Sequence, residues 1–475
     1  MNGCHEREES SMIEAVSEHV PTSRLARGTK LGAAAAGQVL IRSKARLSML
    51  GRSAEVRERL SEESTMRAAE QIVTVLGGMK GVAMKLGQMM SILDMDLVPA
   101  DHRESFQRKL AVLRDSAPTV PFDRMVRVIE RDLRMPIEQA FATFDETAIG
   151  SASIGQVYRA TLPDGTDVAV KVQYPGIDRA VRADLQNLVM LRRFVQSVFP
   201  LIGPGVIDEL AANMELELDY HREAQTQRRV ADTFRNHPFI TVPDSFPELS
   251  GRRVLVTEFV EGMNFEQICE LDQDERNRVG EIMYRFYIGS LYQFNEFCGD
   301  PHPGNVLLAK DGRVAFLDFG LFNAMSEEHV EFELECLRAA SEGRADDLYA
   351  LLDKRGFLDK DVEVSAEECL DYVLAASEWN LIDAELEVTP DVAGGAFLLA
   401  IDPRASEFQG MKHQNLPPEH LFSRRADFFT FGILGQLGVS ANWHRIAREW
   451  IYGEPPATKL GEQHQQWLKS LEGQQ

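Results

Sequence analysis

The sequence predicts an α+β protein with two lobes, preceded by a helical N-terminal extension. Two alternating apolar runs, residues 156–162 and 167–172, flank the turn Pro163-Asp-Gly165 and predict a β-hairpin. From Asn264 onward the pattern is mostly helical, with one short β pair around the turn Asp311-Gly312. A small antiparallel sheet followed by a helical region is typical of a bilobed α+β enzyme.

The remaining elements follow from local periodicity. Apolar residues recur at helical spacing between Glu62 and Leu93, which predicts a helix in the extension. Similar patterns predict further helices at 123–144, 177–199 and 206–236, strands at 240–246 and 253–260, and the β pair at 306–308 and 314–317. We therefore predict an N-terminal extension at 1–110, an N-lobe with a helical insert at 111–262, and a helical C-lobe at 263–475. This order is the arrangement of the protein-kinase fold.

Composition excludes several classes of function and location. The 475 residues carry a net charge of −23, which argues against non-specific nucleic-acid binding. The five cysteines are scattered without a CxxC pair, so neither a disulfide framework nor a zinc site is indicated. The N-terminus is acidic, unlike a signal peptide, and the longest apolar runs are shorter than the ~18 residues that span a bilayer. These features predict a cytoplasmic protein.

Residues 22–59 form a basic stretch on this acidic chain. They contain nine Arg and Lys residues against Glu55 and Glu58. Such a stretch is compatible with peripheral contact at an anionic membrane surface. It is equally compatible with a solvated helix that packs on the acidic body of its own chain.

The strongest chemical signal is Gly299-Asp-Pro-His-Pro-Gly-Asn305 followed by Asp318-Phe-Gly320. Asp300 and Asn305 have the D-x-x-x-x-N spacing of a kinase catalytic loop, and a turn and a strand bring the chain back to Asp318. Phosphoryl transfer requires a carboxylate near the nucleophile and oxygen ligands for Mg²⁺. Asp300 is therefore predicted to be the base or water-orienting group, and Asn305 and Asp318 the metal ligands.

A second group of residues is predicted to hold the phosphates of ATP. Lys171 ends the run Val168-Ala-Val-Lys171, which matches the kinase V-A-I-K strand. Such a lysine needs a helical glutamate to orient it, and Glu223 is the candidate. The loop Gly150–Gly155 precedes the hairpin where a phosphate-covering loop would lie. It is not a Walker A motif, because Gln156 stands where lysine would be required.

With these motifs, the chain resembles the UbiB/AarF-like atypical kinase family over roughly residues 70–345. Lys85-Leu-Gly-Gln88 matches the family K-x-G-Q motif, Glu217-Leu-Asp219 its E-x-D motif, Ser151–Val157 its Ala-rich loop and Gly299–Asn305 its catalytic loop. The resemblance implies a protein-kinase-like fold whose N-terminal extension covers the active site. It also implies ATP and Mg²⁺ as cofactors. The residues predicted to contact the nucleotide are Lys85, Gln88, Ser151, Ala152, Ser153, Ile154, Gly155, Lys171, Glu217, Asp219, Glu258 and Val260.

The resemblance favours ATP hydrolysis or phosphorylation of a small molecule or lipid, in or beside an isoprenoid-quinone pathway, over protein phosphorylation. The absence of an A-P-E segment after Gly320 agrees with this interpretation. Cys298 departs from the family pattern, because it replaces a histidine that supports the catalytic loop. A pseudokinase that binds nucleotide and acts as a scaffold, or an antibiotic-type phosphotransferase, remain as alternative interpretations.

Overall fold

The protein forms two compact units in the computed structural model, which describes residues 120–152, 154–190, 204–361, 363–393 and 418–473. Within the described residues, the first unit contains 120–221 and 246–257, and the second contains 222–245 and 258–473. The predicted helix between Glu62 and Leu93 and the basic stretch lie outside the described residues. No described helix combines the length and the apolar character needed to cross a bilayer.

The first unit is built on a five-stranded sheet. Its strands are β1 (Thr143–Phe144), β2 (Gly150–Ala152), β3 (Gly155–Thr161), β4 (Asp167–Gln173) and β6 (Val254–Glu258). They lie in the order β1-β3-β4-β6, and β2 pairs with β3. The predicted hairpin is confirmed, because β3 and β4 pair antiparallel from Gly155↔Gln173 to Thr161↔Asp167. Valines 168, 170 and 172 point into the core and are fully buried, as period-2 alternation predicts.

Four helices of the first unit precede or follow these strands: α1 (Phe122–Leu133), α2 (Ile137–Ala140), α3 (Ile177–Met190) and α4 (Pro204–Glu217). The single helix predicted over 123–144 is wrong. Arg134 ends α1 in the left-handed conformation with φ 58°, and Pro136 then precedes the short α2. The chain continues into β1, whose Phe144 packs on Tyr158 with ring centroids 5.5 Å apart.

The continuous helix predicted over 206–236 is also wrong. The chain forms α4 and then α5 (Tyr220–Thr233), with a break at Leu218 and Asp219. At this break the Asp219 N–H donates back to the Leu216 carbonyl at 3.1 Å, whereas the Tyr220 N–H donates to the Arg252 carbonyl, in the bend before β6, at 3.1 Å. The side-chain amide of Gln173 donates to the Leu218 carbonyl at 3.1 Å. The break therefore satisfies backbone groups that a straight helix would have paired internally.

The second unit is mostly helical after residue 264. Its helices are α6 (Phe265–Cys269), α7 (Gln273–Tyr284), α8 (Ser290–Phe294), α9 (Glu327–Ser341), α10 (Ala345–Arg355), α11 (Ala366–Leu381), α12 (Pro418–Leu437), α13 (Trp443–Ile451) and α14 (Lys459–Glu472). A π-helical segment, Arg285–Gly289, joins α7 to α8. π-helical turns are uncommon and are often found at functional sites.

Three small β elements complete the second unit. Strands β5 (Ile240–Thr241), β7 (Gly262–Met263), β9 (Val306–Ala309) and β10 (Val314–Phe316) form one sheet in the order β5-β10-β9-β7. The other two are the pairs β8 (Glu296–Cys298) with β11 (Phe322–Ala324) and β12 (Leu386–Val388) with β13 (Val439–Ala441). The predicted β pair around Asp311 is therefore confirmed. The strands predicted at 240–246 and 253–260 exist but are shorter.

Candidate active site

Strand pairing brings the two predicted metal ligands together in the second unit. Val306 lies opposite Phe316 in the β9–β10 hairpin. The register continues one residue further, because the Leu317 N–H donates to the Asn305 carbonyl at 3.0 Å. Asn305 therefore lies beside the residue that precedes Asp318.

A second strand pair brings Asp300 to the same segment. Cys298 lies opposite Phe322 in the β8–β11 pair, and the Gly299 N–H donates to the Leu321 carbonyl at 2.8 Å. Continuing this register places Asp300 opposite Gly320. The segment 318–320 thus lies between β10 and β11. These strands pair with β9 and β8, which lie on either side of the predicted catalytic loop.

The buried phenol of Tyr287 lies near both Asp300 and Asp318. Burial raises the pKa of Tyr287 well above its usual value, and the nearby charges of Cys298, Asp318 and Asp300 raise it further. Tyr287 lies in the π-helical segment and packs edge-on against Phe316, with centroids 5.2 Å apart. Sequence reasoning did not identify Tyr287, and no motif marks it, because its position depends on the π-helical turn.

Glu223 lies beside the Asp318-Phe-Gly320 segment within the second unit. Its side chain is 2% exposed. A Cβ built on Gly320 would be 3.3 Å from Glu223 Oε2 and 3.4 Å from Asp318 Oδ1. The neighbouring Arg222 donates from Nη1 to the Gly320 carbonyl at 2.8 Å, and the Gly320 N–H donates to Asp318 Oδ1 at 3.1 Å. Helix α5 therefore contacts the segment that carries the predicted metal ligand.

Backbone bonds support the catalytic loop where Cys298 replaces a histidine. Cys298 is buried in β8, and the pairing with β11 holds the loop at that end. Inside the loop, His302 Nδ1 accepts from the Gly304 N–H at 3.0 Å, and the Asn305 N–H donates to the His302 carbonyl at 3.0 Å. The loop is thus held by its own hydrogen bonds between the two β pairs.

The donor set at this point suits a hard cation. An amide oxygen from Asn305 and a carboxylate from Asp318 are oxygen ligands of the kind that Mg²⁺ prefers, and they leave coordination positions for phosphate oxygens. Among the described residues no group of three or more His, Cys, Asp or Glu side chains could hold a metal. A metal site completed by phosphate oxygens needs fewer such protein ligands.

In the first unit, Lys171 and the E-x-D motif approach each other. The Lys171 Nζ lies 5.0 Å from the centroid of the Tyr220 ring, a cation–π distance. Gln173, two residues further along β4, ties the strand to the break after α4 through its bonds to the Leu218 and Arg252 carbonyls. Strand β4 thus brings Lys171 close to the segment that carries Glu217 and Asp219.

The loop that the sequence predicts to cover the phosphates consists of β2, β3 and their connection. Ser151 is exposed, whereas the Ile154 side chain is 1% exposed and its carbonyl accepts from the Tyr174 N–H at 2.9 Å. A nucleotide contact by Ile154 would therefore come from its N–H. A Cβ at Gly155 would lie 2.2 Å from the Val172 carbonyl oxygen, so only glycine fits where β3 approaches β4.

The other residues predicted to contact the nucleotide differ in where they lie. Glu258 exchanges hydrogen bonds with Asp244, both through backbone groups at 2.7 Å and through its carboxylate at 3.0 Å. Val260 follows it in the second unit and is partly exposed. Lys85, Gln88 and Ser153 lie outside the described residues. Lys171 and Glu223 belong to different units, and their pairing stays a prediction.

These features define an atypical protein-kinase-like domain, and comparison with known proteins identifies the family. Residues 112–351 match the ABC1 atypical kinase-like domain, so the chain belongs to this family, which includes the UbiB/AarF kinases. It is 30% identical over 413 residues to the atypical kinase COQ8B, mitochondrial, of Rattus norvegicus, covering 84% of this chain and 74% of that protein. It is 31% identical over 316 residues to the chloroplastic protein ACTIVITY OF BC1 COMPLEX KINASE 1 of Arabidopsis thaliana, covering 64% and 45%.

A solved structure has the same fold. The complex of Rv3197 with erythromycin from Mycobacterium tuberculosis matches with a TM-score of 0.58 and 30% sequence identity, covering 84% of this chain and 100% of that one. The predicted α+β, kinase-like fold class is therefore confirmed. Several of the other curated relatives are matched over only about half of their length, as in the 52% covered of the zebrafish COQ8B protein.

The cytoplasmic location predicted from the sequence is wrong. The names of the COQ8B relatives from rat and zebrafish state a mitochondrial location, and those of the two Arabidopsis thaliana relatives state a chloroplastic one. The prediction depended partly on the cysteine pattern, and none of the four described cysteines forms a disulfide. The lack of disulfides among them is compatible with any reducing compartment, so it does not separate the cytoplasm from the others.

Proposed function

We propose that the protein is a Mg-ATP-dependent atypical kinase or ATPase that acts on, or assists the conversion of, a small molecule or lipid. The observation that carries this proposal is the convergence of Asp300, Asn305 and Asp318, which two β pairs bring to one segment of the second unit. These are the residue types and the chain order that phosphoryl transfer requires. Membership of the ABC1 family supports the same chemistry.

Each residue has a defined role in this proposal. Asp300 accepts the proton of the attacking hydroxyl or orients a water. Asn305 and Asp318 hold Mg²⁺, which neutralises phosphate charge when it is bound. Lys171 pairs with the α- and β-phosphates, and Glu223 acts as the glutamate that orients it. The exposed Ser151 end of the β2–β3 loop covers the phosphates, while Glu217 and Asp219, with Lys85 and Gln88 of the extension, contact the nucleotide.

The short connection after Gly320 supports a substrate other than a protein. Strand β11 begins at Phe322, and α9 follows at Glu327 after its N-cap Ser326. Little chain is left there to form the extended segment on which protein kinases dock a peptide. The neighbour solved with erythromycin shows that a related fold binds a small organic molecule. A phenolic, isoprenoid-quinone type of substrate is the proposal that the UbiB/AarF resemblance favours.

The proposal includes contact between the basic residues 22–59 and an anionic membrane surface. Their nine basic residues would attract anionic headgroups, and a lipid-soluble substrate would be found at such a surface. Exposed attractions of this kind are screened over about 10 Å at 0.1 M salt. Binding to anionic liposomes is therefore expected to weaken as salt rises.

The test is ATP turnover by the full chain, with Mg²⁺ and with or without vesicles and phenolic quinone-precursor analogues. We expect phosphate release that requires Mg²⁺, that a suitable lipid or phenol stimulates, and that Asp300→Asn lowers at least about a hundredfold. Asp311→Asn is a matched control, because Asp311 lies on an exposed hairpin turn and pairs with Arg313. Mg-ATP binding without any turnover under these conditions would instead favour the pseudokinase scaffold.

A further inference from the structure

The C-terminal helix α14 is anchored to the second unit at its N-terminus and at two positions further along the helix. At its N-terminus, Thr458 caps the helix by accepting from the Gly461 N–H at 3.0 Å, and it also contacts Glu281. Arg285 Nη2 donates to the same Thr458 hydroxyl at 3.2 Å. The Arg285 side chain is 1% exposed and is neutralised by Glu281 and Glu449. The first turn of α14 is therefore joined to the π-helical segment through a buried charge network.

In the middle of α14, His464 connects two other parts of the unit. Its Nδ1 lies 2.9 Å from His237 Nε2, and its Nε2 lies 2.8 Å from Gln293 Oε1. His237 lies four residues after the end of α5, and Gln293 belongs to α8. All three side chains are wholly or partly buried. A chain of hydrogen bonds thus runs from α8 through α14 to the region where α5 ends.

One turn later, Trp467 contacts the turn that directly follows α5. Its indole N–H donates to the Arg235 carbonyl at 3.1 Å. Its ring stacks on Phe234, with centroids 5.9 Å apart and planes 8° from parallel. Phe234 packs in turn on Phe286 of the π-helical segment at 5.4 Å. Aromatic pairs of this geometry contribute about 0.5–1.5 kcal/mol beyond their buried area.

The same aromatic contacts extend to the Asp318-Phe-Gly320 segment. Phe286 stacks on Phe316 of β10 at 3.7 Å, and it contacts Phe319 and Phe322 at 6.5 and 6.2 Å. Phe319 is the central residue of Asp318-Phe-Gly320. Trp467 is therefore connected to that segment by two routes, one through Phe234 and Phe286 and one along α5 to the residues that contact Gly320.

From these contacts we infer that α14 is a positioning clamp for the active site: by holding the C-terminal end of α5, it fixes where Glu223 and Arg222 meet the Asp318-Phe-Gly320 segment. The inference rests on the proposed function, since it assigns α14 a part in phosphoryl transfer. From Phe234 back to Glu223 the helix runs about 16 Å at 1.5 Å per residue. A helix held at its far end cannot tilt freely, and misplacement by about 1 Å can cost a hundredfold in rate. Trp467 is thus a positioning residue and not a catalytic one.

The experiment compares Trp467→Leu with Trp379→Leu in the full chain. Both tryptophans are buried, at 6% and 8% exposure, but Trp379 packs on Tyr284, Phe431 and Trp443, away from α5. For the parent and for each variant we measure the melting temperature and the kcat and KM for ATP. The same measurements are repeated with Glu223→Gln added to each protein. Hydrogen exchange of residues 318–324 gives a readout that does not depend on activity.

We expect both variants to lower the melting temperature, but only Trp467→Leu to lower kcat, by roughly tenfold to a hundredfold, and to speed exchange of residues 318–324. In the Glu223→Gln background Trp467→Leu should cause little further loss, because it acts through the same residue. Equal kcat and equal exchange in the parent and Trp467→Leu would overturn the clamp. If the parent itself shows no turnover, the proposed function fails, and exchange of residues 318–324 alone decides whether α14 positions the segment.

Discussion

Mild acid should destabilise the folded protein through the buried pair His237 and His464. The structure assigns the protons on both rings. His237 Nδ1 accepts from the Ile240 N–H at 3.0 Å, so its proton is on Nε2 and is donated to His464 Nδ1. The remaining His464 proton is on Nε2 and is donated to Gln293. A further proton on either ring would have to replace one of these acceptor contacts.

Electrostatics oppose protonation as well. Burial, followed by the charges of His464, Arg285 and Arg313, lowers the pKa of His237 to about 2. Burial, followed by the charge of Arg285, lowers the pKa of His464 to about 3. Both values lie far below the ~6.5 of a histidine in an unfolded chain. The unfolded chain therefore binds more protons as the pH falls.

The size of the effect follows from linkage. Because the folded pKa values are depressed, the stabilisation is complete above pH ~6.5 and is lost as the pH falls below it. Each histidine contributes about 1.4 kcal/mol per pH unit, so the pair gives a slope of about 2.7 kcal/mol per pH unit. Because each unfolded histidine is only half protonated at pH 6.5, the free energy of unfolding should drop by about 3 kcal/mol between pH 6.5 and 5.0. That is a large part of a typical total of about 5–15 kcal/mol.

The assay is urea denaturation at a series of pH values for the parent and His464→Gln. The variant removes one of the two titrating groups, so its slope should be smaller by about 1.4 kcal/mol per pH unit. Gln293→Leu is the control: it removes a hydrogen-bond partner and costs about 1–3 kcal/mol, but it leaves the slope unchanged. Equal slopes in the parent and His464→Gln would refute this account of the pair.

Two further substitutions and one deletion test other parts of the structure. Gln173→Leu should lower the free energy of unfolding by about 1–3 kcal/mol in urea denaturation, because the Leu218 carbonyl loses its buried donor; an unchanged midpoint would contradict this. Arg285→Met should cost about 3–5 kcal/mol in the same assay, because its two glutamate partners stay buried without it. Deleting residues 1–59 should abolish salt-sensitive flotation with anionic liposomes, and flotation equal to that of the parent would exclude the membrane proposal.

The parts of the fold that the sequence predicts well are those encoded by local patterns. The β3–β4 hairpin follows from strict alternation around Pro163-Asp-Gly165, where Gly165 adopts φ +92°. The β9–β10 pair follows in the same way from the turn at Gly312, with φ +83°. Because these pairs determine which residues lie opposite one another, the pairing of Asn305 with Leu317, the residue before Asp318, follows from spacing alone.

The errors occur where tertiary contacts override local periodicity. The helical pattern continues through Leu218, but the Gln173 side chain of β4 and the Arg252 carbonyl, in the bend before β6, bond to backbone groups there, and the helix breaks. Likewise, nothing in the sequence near His464 shows that it bonds to His237, more than two hundred residues away in the chain. Contacts of this kind depend on how α14 packs within the second unit, and no local sequence motif predicts that packing.

Asp318 is expected to help bind Mg-ATP, and isothermal titration calorimetry measures this contribution. The parent should bind ATP only when Mg²⁺ is present, because the metal neutralises phosphate charge beside the carboxylate. Asp318→Asn should weaken Mg-ATP binding at least roughly tenfold, about 1.4 kcal/mol, while Asp311→Asn should bind as the parent does. Unchanged affinity in Asp318→Asn, with the fold intact by circular dichroism, would contradict this expectation.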